Sequence, residues 1–142
     1  MIGIDANVLV ALAAGEHPKH AQAVAGFERE LAADEEFSLS PAVAAEFLHV
    51  VTDPRRLTPA QAMPEAIRWL RTWTTEVAPL WLAPNEAAIE LWLKWMTEFQ
   101  LGRKRILDTQ YAASLHTHGV RRLLTNNADD FLVFGVFEIV TF

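Results

Sequence analysis

Apolar and polar positions along the chain alternate between two spacings. Met1-Ile-Gly-Ile4 is a short apolar run that meets a carboxylate at Asp5 and passes at once into Ala6 to Leu12, spaced as a helix. Gly15-Glu16-His17-Pro18 reads as a turn, and Lys19 to Ala33 as a mostly solvated helix ending in acidic residues. Phe37 to Ser40 predicts a strand. Ser40-Pro41 is a strong helix start, with serine as cap and proline at the first helical position, and the helix should end near Thr52 because Asp53-Pro54 is a break.

Thr58-Pro59 predicts the next helix, carrying Met63, Ala66, Ile67 and Leu70 at helical spacing. Val77 to Leu82 is a strand, Asn85 to Phe99 a helix, and Leu101 to Arg105 a basic loop. A helix from Leu107 to His118 stops at Gly119, where a C-cap glycine belongs. Arg122 to Thr125 is a strand, Asn126 to Phe131 a polar turn, and Val136 to Phe142 a last strand. Strands alternating with helices predict an α/β fold with a mostly parallel sheet of four or five strands and helices on both faces. A chain of 142 residues, 51% hydrophobic, suits one domain over 1–142.

Composition narrows the chemistry. No cysteine is present, so any metal must be held by oxygen or imidazole. The net charge of −6 argues against a protein that coats nucleic acid by general attraction, while leaving room for one that brings divalent cations and a local basic patch. No run approaches the roughly 20 apolar residues of a membrane helix, and no secretory leader is visible, so the expected location is the cytoplasm.

Two acids lie where apolar residues belong. Glu46 shares a helical stripe with Val43, Phe47 and Val50, and Asp108 shares one with Tyr111, Ala112 and Leu115. A carboxylate is rarely buried unless paired or bound to metal. The bland readings are a salt bridge from Glu46 to Arg55 or Arg56, a first-turn preference for Asp108, and an N-cap for Asp5 worth about 1 kcal/mol. Yet Asp5 and Asp129-Asp130 also follow strands, and in a parallel sheet such positions gather at one edge. Carboxylates gathered there repel one another, so cations between them make sense of the pattern; oxygen donors suit Mg²⁺ or Mn²⁺. The chemistry that follows is phosphodiester hydrolysis by metal-activated water.

Asp5-x-Asn7-Val8-Leu9, Glu46 within Ala45-Glu-Phe-Leu48, Asp108-Thr-Gln-Tyr-Ala-Ala113 and Thr125-x-Asn127-x-x-Asp130-Phe131 together resemble the four signatures of PIN-domain ribonucleases, and most closely VapC toxins of toxin–antitoxin pairs. The resemblance implies a three-layer α/β/α sandwich and a Mg²⁺- or Mn²⁺-dependent endoribonuclease, dimeric and silenced by a small VapB-like antitoxin. It implies that Asp5, Glu46, Asp108 and Asp130 are catalytic metal ligands, supported by Asn7, Thr125 and Asn127; Asn127 stands where many relatives have an acid.

Arg103, Lys104 and Arg105 just before Asp108, and Arg121-Arg122 before the Thr125 signature, are candidates for flanking the acids and holding RNA phosphates, and Arg55-Arg56 is a third with less reason for it. The tryptophans suit core or interface better than base stacking, and the wide apolar arc of the Asn85 to Phe99 helix suits a dimer or antitoxin contact. His17 and His20 suggest a turn rather than a metal site. Two other readings compete. A phosphatase using a phosphoryl-aspartate needs a second acid two residues after Asp5, where Asn7 stands, and a PIN-like binding module without turnover should have lost a core acid.

Overall fold

The computed structural model describes residues 1–142. Its sheet has five strands, β1 (Ile2–Ile4), β2 (Phe37–Leu39), β3 (Leu80–Trp81), β4 (Arg122–Leu124) and β5 (Glu138–Val140), in the order β3-β2-β1-β4-β5 with every neighbouring pair parallel. Gly3 pairs with Ser38 on one side and Leu123 on the other. The chain builds outward from β1 to β3, then returns to add β4 on the opposite flank, so the direction of winding reverses between β1 and β4. Open parallel sheets bind ligands outside the carboxyl ends of the strands at such a reversal.

Seven helices flank the sheet: α1 (Ala6–Ala13), α2 (His20–Ala32), α3 (Pro41–Val51), α4 (Met63–Val77), α5 (Glu86–Glu98), α6 (Ile106–Thr117) and α7 (Ala128–Leu132). Successive strand residues face opposite sides, and Ile2, Gly3 and Ile4 are all buried, so β1 is covered on both faces. A Cβ on Gly3 would come within 2.8 Å of the Leu115 side chain and 3.1 Å of the Tyr111 hydroxyl. Glycine thus lets α6 lie directly on β1. The core gathers the strands with α1, α3 and α6 around Leu9, Phe47, Leu115 and Phe131, all essentially inaccessible.

The α/β alternation and parallel sheet match the sequence expectation, with shorter elements. The helix expected from Pro59 begins instead at Met63, because Pro64 occupies its first turn, where a missing N–H costs nothing. It runs to Val77 and displaces the start of the expected strand, leaving only exposed Leu80–Trp81 as the sheet edge. Ser40 caps α3 as expected, accepting the Val43 N–H at 3.2 Å.

At the amino-terminal edge, a charge network ties the sheet together. Arg122 pairs with Glu35, buried Glu30 at 3.0 Å and Glu138 at 3.2 Å, and the Met1 amino group pairs with Glu35 at 2.9 Å. Arg122 opens its strand, so it lies at the end opposite Asp5 and cannot flank the acids, contrary to the expectation for Arg121-Arg122.

Candidate active site

Asp5 follows β1 and Thr125 follows β4, side by side across the reversal. Asp5 holds the N-cap position of α1, but its carboxylate makes no capping bond. The Thr125 hydroxyl instead donates to Asp5 Oδ2 at 2.6 Å, and the Asn7 side-chain amide donates to the same oxygen at 2.7 Å. Thr125 Oγ1 accepts from the Asn127 N–H at 3.0 Å, and Asn7 Oδ1 accepts from the Asn126 N–H at 3.1 Å. Asn7, Thr125 and Asn127 therefore form one bonded set around Asp5.

Asp5 on the sheet edge, Glu46 on α3 and Asp108 at the start of α6 line one cavity of about 600 Å³ with Tyr111, His49 and Arg56. Tyr111 is fixed in its wall by donating to the Ile4 carbonyl at 2.7 Å. The bland alternative for Glu46, a salt bridge to Arg55 or Arg56, does not form: Arg55 pairs with Asp53 at 3.2 Å, and Arg56 makes no ion pair. Glu46 faces the acids without an ion-pair partner, and its carboxyl is pushed up by burial and by the Asp108 charge.

The acids sense one another. Burial pushes Asp5 up to about 6, against the lowering effect of the Thr125 hydrogen bond and with a further upward contribution from Glu46 and Asp130. Asp108 is pushed up to about 6 by burial and by the charges of Asp5 and Asp130. Asp130, on α7, does not line that cavity; with the exposed Asp129 it borders a separate shallow one. No three of the acids converge to metal-ligating spacing as they stand. Like charges hold one another apart, and the donor set, all hard oxygens half buried in a shared pocket, suits a divalent cation that would draw them in.

Of the basic run before Asp108, only Arg105 reaches the acids. Its Nε is 3.4 Å from Asp130 Oδ1 and 4.0 Å from Asp108 Oδ2, and its Nη2 donates to the Asp130 carbonyl. That Nε is buried and makes no hydrogen bond, so its interaction with the acids is one of charge. Arg103 and Lys104, in the same 3-10 turn, are exposed and border none of the cavities. Sequence reasoning missed Asn126, which accepts from the Lys19 ammonium at 2.6 Å and donates to Asn7; the consecutive Asn126-Asn127 after Thr125 was its one signal.

A family model described as PIN domain matches residues 2–135. Ribonuclease VapC31 of Mycobacterium tuberculosis is 32% identical over 113 residues, covering 80% of each chain. Ribonuclease VapC25 of the same organism is 44% identical over 55 residues, 39% of each chain. Among solved structures, VapC20 of M. tuberculosis, a sarcin-ricin loop cleaving toxin, superposes with a TM-score of 0.71 at 16% identity over 97% of this chain and 98% of its own. VapBC2 from Rickettsia felis, bound to a DNA fragment from its promoter, superposes with a TM-score of 0.70 at 15% identity over 100% and 99%. With nearly its whole length matched, and with acids, threonine and asparagines gathered at one sheet edge, the chain belongs to the PIN domain family, among its VapC-type members.

Proposed function

We propose that this protein is the endoribonuclease toxin of a toxin–antitoxin pair, hydrolysing RNA phosphodiester bonds with the help of Mg²⁺ or Mn²⁺ and acting as a single domain over 1–142. The observation that carries the reading is the convergence of Asp5, Glu46 and Asp108, from three separate elements, on one cavity. Kinship with VapC ribonucleases supports the activity, and neighbours solved as VapBC and FitAB assemblies support an antitoxin partner.

Asp5, Glu46 and Asp108 would hold the ion, with Asp130 completing the set. Such an ion supplies an acidified water and offsets charge developing at phosphorus. Thr125 and Asn7 fix one oxygen of Asp5, so its other oxygen is free to face the ion. Arg105 offsets the charge of Asp108 and Asp130. Arg103 and Lys104 remain proposed outer contacts to RNA phosphates. A homodimer is proposed on the exposed apolar residues Ile89 and Leu93 of α5. No helix is long and apolar enough to cross a membrane.

The test is incubation of purified protein, free of antitoxin, with total tRNA and ribosomal RNA in Mg²⁺ or Mn²⁺. Discrete fragments, absent with chelator and with Asp108→Ala, are expected. Absence of cleavage by the folded protein in either metal would replace this reading with a binding module that has lost turnover.

A further inference from the structure

The acid pocket is not isolated. A second cavity of about 260 Å³ shares Glu46 and Arg56 with it and reaches Asn126 and Asn127. A third, of about 450 Å³, shares His17, Arg56 and Leu57 with the second and is walled by Gly15, Pro18 and Pro59. Arg56 borders all three. The three cavities therefore lie in series from the acids, with one arginine at their shared walls.

Arg56 differs from the other arginines near the sheet. Arg55 is held by Asp53, Arg105 by Asp108 and Asp130, and Arg122 by Glu30, Glu35 and Glu138. The Arg56 guanidinium has no ion pair and no hydrogen bond within the chain; its influence is felt as a charge that lowers the Glu46 and Asp53 carboxyls. An unpaired, exposed guanidinium at the junction of three cavities has the chemistry to hold a phosphate. The far cavity has the character of a base site. Leu57, Pro18 and Pro59 give it flat apolar walls, and Gln61, anchored by donating to the Ala13 carbonyl at 3.1 Å, adds a polar amide.

We propose that this series of cavities is the track of the RNA strand on one side of the cleaved bond, with Arg56 holding a phosphate next to the scissile one and the His17–Pro59 cavity receiving an unstacked base. The proposal rests on the nuclease reading above. It explains how a chain of charge −6 leads a polyanion to an acidic pocket: the phosphate beside the acids is steadied by a cation that the fold leaves unspent. Single-stranded, splayed nucleotides are what such a series of cavities admits, since specific RNA recognition works on bases removed from the stack.

Arg55 and Arg56 provide an internal control, because replacing either removes the same charge. Arg56→Ala should slow cleavage about tenfold or more at subsaturating RNA, the worth of a charge-assisted contact, and leave the rate at saturating RNA within about twofold of wild type. Bound to the RNA preparation that wild type cleaves, Asp108→Asn carrying Arg56→Ala should show a salt dependence shallower by about 0.7 in log–log slope than Asp108→Asn alone. Arg55→Ala should change neither. A Cβ on Gly15 meets nothing within 4 Å, so Gly15→Trp should fold with unchanged Tm, obstruct the far cavity and alter both rate and fragment pattern. Equal behaviour of Arg55→Ala and Arg56→Ala, a loss confined to saturating RNA, or no effect of Gly15→Trp would overturn the track while wild-type cleavage left the nuclease reading standing. No metal-dependent cleavage by wild type would remove both.

Discussion

The guanidinium of Arg105 stands 3.4 Å from a carboxylate oxygen of Asp130 and 4.0 Å from one of Asp108. This is a built-in counter-ion, placed where a divalent cation would also be drawn. A divalent cation held as proposed would compete with Arg105 for the same carboxylates.

Arg105→Ala should therefore destabilise the metal-free protein by about 1 kcal/mol, the scale of a partly exposed pair. It should also enlarge the rise in Tm that Mg²⁺ or Mn²⁺ produces. Differential scanning fluorimetry with and without metal checks both, and a metal response smaller than that of wild type would contradict the competition.

Metal alone should raise the Tm of wild type, because it binds the folded pocket and not the unfolded chain. Asp5→Asn should stabilise the metal-free protein, since it removes a buried charge while leaving an oxygen to accept from Thr125, and should abolish cleavage. A destabilised Asp5→Asn together with no metal response would show that the acids do not share a pocket.

The same repulsion sets a pH dependence. Asp5 and Asp108 titrate near 6 in the fold against an ordinary 3.8, so between those values the folded protein holds protons that the unfolded chain has released. Stability of the metal-free protein is then full below about 4 and falls as pH rises through about 6. Buried Asp5 accounts for a loss on the order of 2–3 kcal/mol, and half-exposed Asp108 for less, because solvent screens it. Glu35, held low chiefly by its hydrogen bond to the chain's amino group and also by Arg122, acts in the opposite sense in acid. Urea titrations of wild type and Asp5→Asn across this range isolate the Asp5 part; parallel curves would refute it.

Arg122→Ala should cost about 1–2 kcal/mol in urea unfolding, above a surface pair and below a fully stranded buried charge, and leave RNA affinity of the remaining folded protein unchanged. Glu30, buried with a relative exposure of 4%, keeps only Arg29 at 3.1 Å as a partner, and Glu138 loses its contact.

Much of the site was readable because burial of a carboxylate is a costly exception. Glu46 and Asp108 interrupted apolar stripes, and Asp5 ended a buried run, so each carried its own signal. The role of Arg105 over Arg103 and Lys104 was not readable, since three consecutive basic residues have no periodicity and a single 3-10 turn decides which one meets Asp130. Arg56 gave a similarly faint signal: its significance lies in what it fails to pair with, which only the positions of Asp53 and Glu46 reveal. Arg122 was misjudged although the strand direction contained the answer, since the first residue of a parallel strand lies at the edge away from the ligand. The early end of the β3 region followed from α4 running on to Val77, a boundary set by packing rather than by local preference.

The bond between Thr125 and Asp5 spans 120 residues and joins positions near the two ends of the chain. Its strand partner β5 comes later still, and the Thr125 N–H is tied to Val140. Asp5 is therefore held in place only once β1, β4 and β5 have paired, so the site is a product of closing the sheet and not of any one segment of the chain.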